Sequence, residues 1–526
     1  MGTRAERISE IRKLRVIPLI FDAREVTPKM QQQPVSVDSA ASAETPPSGA
    51  SGGLRGACLS YPEVLAQSVS VIAPSTVPAA IIGLIFASAG NGTWLSFLLG
   101  MVGMVLVSLN VNQFATRSAS PGSLYSYIVR GLGPTTGILG GWAMVFAYTL
   151  TGMSTLCGLA IVGNVLLGQA TGLQLPILAW FAIGAASACW IAMRNIQLSA
   201  KTMLVFEAVA LASILVLGAI IWHARGFAMD AAQFKLEGAT ASGVLVGVVL
   251  VVFGFSGFES STSLGGEAKD PLKSIPRSVM HSVLFSGIVF VFMAYIVVMG
   301  FEGSSVSLAN SEAPLDHLSA KFGVGPLGTV ITVGVFLSFF ACTLAAINST
   351  ARIIFSMARH GLFFEALGEA HETNRTPHLA VAIAALVTFA APAGCYLAGI
   401  SAFDAQGHFG TLCSFGFITV YILITIAAPM YLKSIGKLTR RAIAYSAAGL
   451  AFMALPLLGT FGLPGSTLFP PIDWPNTLLA GVFFAYMLVG VVWLLAERIR
   501  RPAMIESAVD GVELQFATVP VADRVR

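Results

Sequence analysis

The sequence predicts an all-helical integral membrane protein that crosses the bilayer twelve times, with both termini in the cytoplasm. Three observations predict this: an apolar composition, a series of apolar runs of membrane-spanning length, and a one-sided distribution of basic residues. Hydrophobic residues make up 55% of the 526 residues and charged residues 11%, whereas about 25% of a soluble domain is charged. The mean hydropathy is +0.79. Such a chain must place most of its surface against lipid.

Apolar runs recur along the chain after residue 60. A hydrocarbon core about 30 Å thick is crossed by roughly 20 residues of α-helix. Twelve runs fit, and we predict spans at 64–87, 93–115, 136–167, 176–193, 202–222, 241–266, 278–301, 326–356, 379–399, 409–432, 442–463 and 476–496. They divide the chain into a polar N-terminal tail (1–58), predicted to be disordered, a twelve-span domain (59–500) and a C-terminal tail (501–526).

The basic residues fix the predicted orientation. When the spans alternate from a cytoplasmic N-terminus, 27 of the 30 Lys and Arg residues fall inside, and Arg225, Lys235 and Lys321 fall outside. The segment Glu267–Pro276 is then a cytoplasmic loop that we expect to anchor the sixth span. The net charge of +4 reports this topology and needs no nucleic-acid partner to explain it.

The sequence gives little support for an enzyme. Six cysteines are scattered singly, without metal-ligand or redox spacing. A Gly-rich phosphate loop, a zinc-binding His pair and a nucleophile elbow are all absent from the sequence. We therefore predict no catalytic residue, no cofactor and no metal site.

Two carboxylates lie within the predicted spans. Glu207 is in the fifth span and Glu259 in the sixth. Each costs about 2.5 to 3.5 kcal/mol at the centre of a membrane helix, so each is expected to face a cavity or a partner and not lipid. A carboxylate near a helix end can also reach the interface, and Glu207 lies closer to the cytoplasmic end.

Breaks are expected in two spans. In the sixth, Gly254, Ser256 and Gly257 disfavour helix just before Glu259. In the first, Pro74 and Pro78 flank Ser75 and Thr76 midway across the bilayer. Irregular backbone at membrane depth is tolerated where it lines a polar cavity, although close packing of small residues and a simple proline kink are the alternatives. Breaks in spans one and six are what a five-plus-five inverted repeat predicts.

Three stretches resemble the amino acid-polyamine-organocation (APC) superfamily of permeases. Residues 254–279, "GFSGFESSTSLGGEAKDPLKSIPRSV", are similar to its sixth-span signature, in which a GFE-like break precedes an E-x-K-x-P-x-x-x-I-P segment. Residues 120–142 resemble the entry into its third span, and residues 348–368 the exit from its eighth. The resemblance covers roughly residues 60–500 in the correct order.

The chain departs from the family pattern in the first span, in the fifth span and in the loop after the eighth, where residues 361–364 read Gly-Leu-Phe-Phe in place of the family's leucine and proline. Residues 73–76 read Ala-Pro-Ser-Thr where many relatives have a Gly-Ser-Gly type break. Several relatives carry a fifth-span lysine in place of a sodium ion, whereas Ala210 stands at that position here, with Glu207 one turn earlier. The identity of the coupling ion is therefore left open by the resemblance.

The resemblance implies a LeuT-like fold and uptake of an amino acid or related amine across the cytoplasmic membrane, coupled to protons. Glu259 would pair with the substrate ammonium or carry the proton, and Glu207 is the second candidate. Ordinary core packing is the alternative role for Phe253 and Phe255. The residues expected to bind substrate are Ala73, Ser75, Thr76, Phe253, Phe255, Ser256 and Gly257.

Three other functions stay open at this point. A polyamine or monoamine carrier would depend more on Glu259, and an exchanger would use the same site. A non-transporting membrane sensor belongs to a different class, and the long N-terminal tail is the feature that favours it. The expected partners are the solute, protons and the lipid bilayer, while the oligomeric state is open.

Overall fold

The computed structural model describes residues 53–501, except 312, 464, 467 and 470–475, together with residue 512. Almost all of the two predicted tails lies outside these residues. The α-helices are α1 (Tyr61–Ile72), α2 (Thr76–Ala80), α3 (Ile82–Ala89), α4 (Thr93–Ala115), α5 (Leu124–Leu132), α6 (Pro134–Thr171), α7 (Ile177–Arg194), α8 (Ile196–Ala224), α9 (Ala231–Phe234), α10 (Ala241–Gly254), α11 (Pro271–Phe301), α12 (Pro314–Lys321), α13 (Gly325–Arg359), α14 (His378–Leu397), α15 (Ala402–Ser434), α16 (Arg440–Phe461) and α17 (Asn476–Arg500).

The expected all-helical membrane architecture is confirmed. Within the described residues, ten helical segments are long and apolar enough to cross a bilayer, and the continuous segment Ile82–Ala115 counts as one of them. The shorter apolar helix α10 adds 14 residues. In this part of the chain the β-structure is limited to one isolated parallel bridge, between Leu59 and Ala268.

Both predicted interruptions coincide with non-helical backbone. The helix α1 ends at Ile72, Ala73 takes the left-handed conformation with φ +49°, and helix resumes at Thr76. The helix α10 ends at Gly254, and the chain passes through Gly257, with φ +87°, before a 3-10 helix at residues 260–264. Pro78 lies inside α2, where a first-turn proline forfeits no helical hydrogen bond.

The loop predicted at Glu267–Pro276 is shorter than expected. The helix α11 begins at Pro271, so the second half of the predicted loop is helical. Proline is well suited to the first helical position, because its fixed φ matches the helix and its missing N–H has no intrahelical partner there. The motif residues Ile275 and Pro276 are therefore buried in the first turns of a long helix.

The long helices pack as a bundle centred on α6. The helices α13 and α15 both pack against α6, and α13 also packs against α8. Small residues allow the backbones to approach closely: a side chain at Gly416 of α15 would meet the carbonyl of Ala143 at 2.9 Å. Close approach through glycine and alanine is a common way to pack helices in lipid, where no hydrophobic effect drives them together.

The segment that leads into α1 is hydrogen-bonded to the segment that leads into α11. The amides of Cys58 and Leu59 both donate to the carbonyl of Glu267, at 2.8 and 3.0 Å, and the amide of Lys269 donates to Leu59. The side chain of Glu267 forms a bidentate ion pair with Arg352 of α13, at 2.6 and 3.0 Å, and both side chains are fully buried. The approach to α1 is thus tied to α13 through Glu267.

Candidate functional site

The two helix breaks face each other. A side chain at Gly257 would meet the Val71 Cγ1 atom at 2.1 Å, and one at Gly254 would meet Val77 at 3.3 Å. The non-helical stretch after α10 therefore packs directly on the end of α1 and the start of α2. This arrangement puts two irregular backbones side by side within the bundle, where the carbonyls and amides around them can contact a solute.

Glu259 lies beside this junction and is held by two tyrosines. The Tyr148 hydroxyl, on α6, donates to Oε1 of Glu259 at 2.6 Å, and the Tyr421 hydroxyl, on α15, donates to Oε2 at 2.6 Å. Tyr421 in turn accepts the amide of Gly257 at 2.8 Å. Glu259 is fully buried. Each carboxylate oxygen thus has a donor, and one of these donors also fixes the positive-φ glycine of the break.

Glu207 occupies a second polar site on the other side of the first break. Ser338 of α13 donates to its Oε2 atom at 2.8 Å, while Oε1 has no hydrogen-bond partner. Ser75, in the break, lies close enough to interact with the carboxylate through its amide and its hydroxyl, but the Ser75 hydroxyl makes no hydrogen bond of good geometry. Glu207 and Ser75 therefore form a buried and incompletely satisfied pair.

Of the seven residues predicted to bind substrate, three are partly exposed and four are buried. Thr76, Phe253 and Ser256 retain partly exposed surface, and Ser256 donates back to Val252 at 3.3 Å. Phe255 is fully buried, and its ring packs edge-on at 5.1 Å against Phe290 of α11, the contact of a core residue. The remaining three are buried at the junction of the breaks: Ala73, Ser75 and Gly257.

Several residues of this site were not anticipated from the sequence. Tyr148, Tyr421 and Ser338 lie within long apolar runs, and single hydroxyl groups in such runs give no pattern that separates a site from ordinary packing. Their separation along the chain also hides them, because Tyr148 lies 111 residues and Tyr421 162 residues from Glu259. In the described part of the chain, no group of three or more His, Cys, Asp or Glu residues is placed to hold a metal ion.

Comparison with known families identifies the fold that carries this site. The family model described as "Amino acid permease" matches residues 64–507. The chain belongs to the amino acid permease family. This family is part of the APC superfamily, as the motif resemblance implied, and the protein is therefore a membrane permease. Glu259 and both breaks lie inside the matched region.

Three curated relatives are named for different solutes. The permease is 23% identical over 368 residues to the branched-chain amino acid permease BcaP of Bacillus subtilis, covering 67% of this chain and 76% of the relative. It is 25% identical over 345 residues to the low-affinity putrescine importer PlaP of Escherichia coli K12, covering 62% and 72%. It is 24% identical over 403 residues to the serine/threonine exchanger SteT of B. subtilis, covering 73% and 85%.

Proposed function

We propose that this permease imports an amino acid or a related amine, driven by proton symport. The observation that carries the proposal is the buried Glu259, held by two tyrosines beside the two facing breaks. A carboxylate at membrane depth suits an ammonium group, and the freed backbone around residues 73–76 and 253–257 offers carbonyls and amides to the rest of the solute. The names of the relatives support an amino acid or amine as the solute.

The two buried carboxylates have environments that suit different tasks. Glu259 accepts a hydrogen bond at each oxygen from a neutral phenol, an arrangement that satisfies an ionised carboxylate. Glu207 has one hydrogen bond of good geometry, from Ser338, and none at Oε1, which makes the ionised form costly at that depth. We assign Glu259 to the substrate ammonium and Glu207 to the transported proton, because a proton on Glu207 would remove the unpaired charge and provide a donor towards Ser75.

The proposed topology has twelve spans in a LeuT-like five-plus-five repeat, in the cytoplasmic membrane with both termini inside. Two observations support twelve spans in place of the ten long apolar segments. Gly90, with φ +52°, interrupts the segment Ile82–Ala115 between α3 and α4, so this segment supplies parts of two spans. The helix α10, continued by residues 255–266, supplies the other.

An amine carrier is the second candidate, because Glu259 is the kind of group that an amine needs while residues 73–76 lack the glycines of many amino acid permeases. The putrescine importer among the relatives points the same way. The two candidates differ in whether the solute carboxylate contributes to binding.

Uptake into liposomes that contain the purified full-length protein tests these proposals. With an inwardly directed proton gradient, labelled amino acids and amines are offered singly and in competition. Accumulation of an amino acid, blocked by analogues that keep the carboxylate, supports the main proposal. Blocking by amines alone favours the amine carrier, and uptake that requires internal solute and ignores the gradient identifies an exchanger. Absence of flux for every solute offered would contradict transport and favour a sensor.

A further inference from the structure

The amides of residues 255–258, in the second break, are all used within the protein. Three of them donate to the carbonyl three residues earlier, at 3.2 to 3.3 Å. The fourth, the amide of Gly257, donates to the Tyr421 hydroxyl at 2.8 Å. A solute that reaches this break therefore meets carbonyl oxygens and the carboxylate of Glu259, and none of these four N–H groups is free to bind it.

The first break offers few donors to a solute. Pro74 has no N–H. The amide and the hydroxyl of Thr76 both donate to the Ala73 carbonyl, at 2.9 and 2.8 Å. The amide of Ser75 lies close enough to the Glu207 carboxylate of α8 to interact with it. Glu207 thus takes the place beside this amide that the carboxylate of a solute would need.

Free carbonyls outnumber free amides where the two breaks meet. Within the described chain, no residue donates a hydrogen bond to the carbonyls of Ile72, Pro74, Gly254 or Ser256. One amide of the first break, that of Val77, likewise donates to no described carbonyl. This surplus of acceptors suits a solute that donates hydrogen bonds, as an ammonium group does with its three N–H groups.

The buried titratable groups beside the breaks are acidic. Glu207 and Glu259 are 3% and 0% exposed. Of the Lys and Arg residues that the structure describes, Arg352 is the only one that is buried, and Glu267 holds its guanidinium at 2.6 and 3.0 Å. Arg352 also lies ten residues, about 15 Å, beyond Cys342 of α13, whose thiol contacts the end of α1. The carboxylate of a solute at the breaks would therefore join buried acids with no described buried cation beside it.

The charge balance of the site favours an amine in either protonation state of Glu207. With a proton on Glu207, as proposed above, one negative charge remains, on Glu259. A monoamine neutralises this charge, whereas a zwitterionic amino acid adds no net charge and leaves it uncompensated, which is costly for a buried group. With Glu207 ionised, the carboxylate of an amino acid would face two like charges.

We propose that the solute is a primary amine without a carboxylate, and that Glu207 excludes amino acids by occupying the position beside the Ser75 amide. The inference rests on the proposed transport function and narrows its solute to the second candidate. Glu259 holds the ammonium group, and the free carbonyls of the two breaks accept its remaining hydrogen bonds. Glu207 is then a specificity-determining residue as well as the proton carrier.

Equilibrium binding to the purified full-length protein tests this preference without any transport measurement, so a failure of transport and a failure of the preference are distinguishable. The probes are matched pairs, each an amino acid and the amine that lacks only its carboxylate: leucine and isopentylamine, phenylalanine and phenethylamine, and ornithine and putrescine. In the pair that binds best, the amine is expected to bind about tenfold more tightly than its amino acid. Equal or tighter binding of the amino acid, or binding of none of the probes, would overturn the proposal.

Variants at residue 207 test the role of Glu207 in the preference. E207Q keeps a side chain of the same shape beside Ser75 and should retain the preference for the amine. E207A vacates the position and frees the Ser75 amide, so the affinity for the amino acid should rise about tenfold. V209A, at a residue of α8 that is 43% exposed, is the matched control and should bind like the unchanged protein. E207S replaces E207A if size-exclusion chromatography shows that E207A does not fold. A preference that is unchanged when the position is vacated would overturn the assignment of Glu207.

Discussion

Glu259 is a fully buried carboxylate at which side chains from two long helices meet beside the break. Its carboxylate accepts from Tyr148 of α6 and from Tyr421 of α15, each at 2.6 Å, and Tyr421 also accepts the amide of Gly257 in the break at 2.8 Å. A substrate ammonium that approaches Glu259 must share or displace these donors. Binding of the ammonium can therefore move Tyr148 and Tyr421, and with them the helices α6 and α15.

Replacing Glu259 by glutamine should impair substrate binding. E259Q keeps the shape of the side chain and removes its charge. The binding free energy of the solute should therefore weaken by about 1 to 3 kcal/mol, the usual range for a lost charged hydrogen bond. Equilibrium binding of the labelled solute to purified protein measures this change. The same change should lower uptake in parallel.

If Glu207 carries the proton and Glu259 binds the ammonium, replacing Glu207 should affect coupling and not solute binding. E207Q should leave solute binding and solute exchange measurable, but abolish accumulation driven by a proton gradient, because the side chain can no longer exchange a proton. If E259Q instead loses accumulation with unchanged affinity, the two roles are reversed. Unchanged accumulation in both variants would contradict both assignments.

His360, just after the end of α13, makes the stability of the protein depend on pH. Burial, followed by the positive charge of Arg359, lowers the pKa of His360 to about 4, and its Nδ1 lies 3.0 Å from the Tyr125 hydroxyl. In the unfolded chain the His360 imidazole takes up a proton near pH 6.5. The stability that neutral His360 contributes is therefore present above about pH 6.5 and lost as pH falls towards 4, by about 2 kcal/mol at pH 5.

Thermal unfolding in detergent between pH 7 and pH 5 measures this loss. H360Q cannot titrate, so its melting temperature should fall less over the same pH interval than that of the unchanged protein. H223Q, at an exposed histidine, should retain the full pH dependence. Equal pH dependence in H360Q and in the unchanged protein would show that another group titrates.

At the scale of the elements, the two breaks are stabilised by each other. Ala73 takes a left-handed conformation that costs a residue with a side chain about 1 to 2 kcal/mol, and Gly257 takes a positive φ at no such cost. Their close packing leaves no space for a side chain at residue 257, because Cβ would lie 2.1 Å from Val71. Glycine is therefore required there for two independent reasons.

G257A should destabilise the protein by about 2 to 4 kcal/mol, combining the positive φ with overpacking against Val71. It should also lower uptake, since the junction of the breaks is forced apart. G394A is the matched control, because a side chain at that helical glycine meets nothing within 4 Å. Adding V71A to G257A should restore part of the stability; no restoration would assign the whole effect to backbone strain. Melting temperature and uptake are the two measurements.

The breaks could be predicted from the sequence, and the pairing around Glu259 could not. Pro74 fixes φ and removes a backbone N–H, whereas Gly257 allows a positive φ and disfavours helix, so their positions in an apolar run predict an interruption from local chemistry alone. Tyr148 and Tyr421 become partners only after α6 and α15 pack around the break. The extent of the loop after Glu267 was wrong for a related reason: charged residues suggested a loop, but Pro271 begins a helix.

At the scale of the whole molecule, the buried pair of Glu267 and Arg352 joins the entry to α1 with α13. A buried ion pair contributes little net stability, whereas loss of one partner leaves an uncompensated buried charge and costs about 3 to 5 kcal/mol. E267Q should lower the melting temperature accordingly. The double variant E267L/R352M should be more stable than E267Q. The partly exposed pair of Arg225 and Glu302 is the control, since E302Q should cost less than about 1 kcal/mol.

The topology of the whole chain can be tested with two introduced cysteines, K235C and R441C. Lys235 has a side chain that is 72% exposed and lies between α9 and α10, and Arg441 is exposed at the start of α16. If α10 and the residues after it cross the membrane, five spans separate these positions and they lie on opposite sides. A membrane-impermeant maleimide should then label K235C in intact cells and R441C only after permeabilisation, while the unchanged protein reports background labelling of its native cysteines. Labelling of both positions from the same side would mean that α10 does not complete a crossing, and labelling of R441C alone from outside would reverse the proposed orientation.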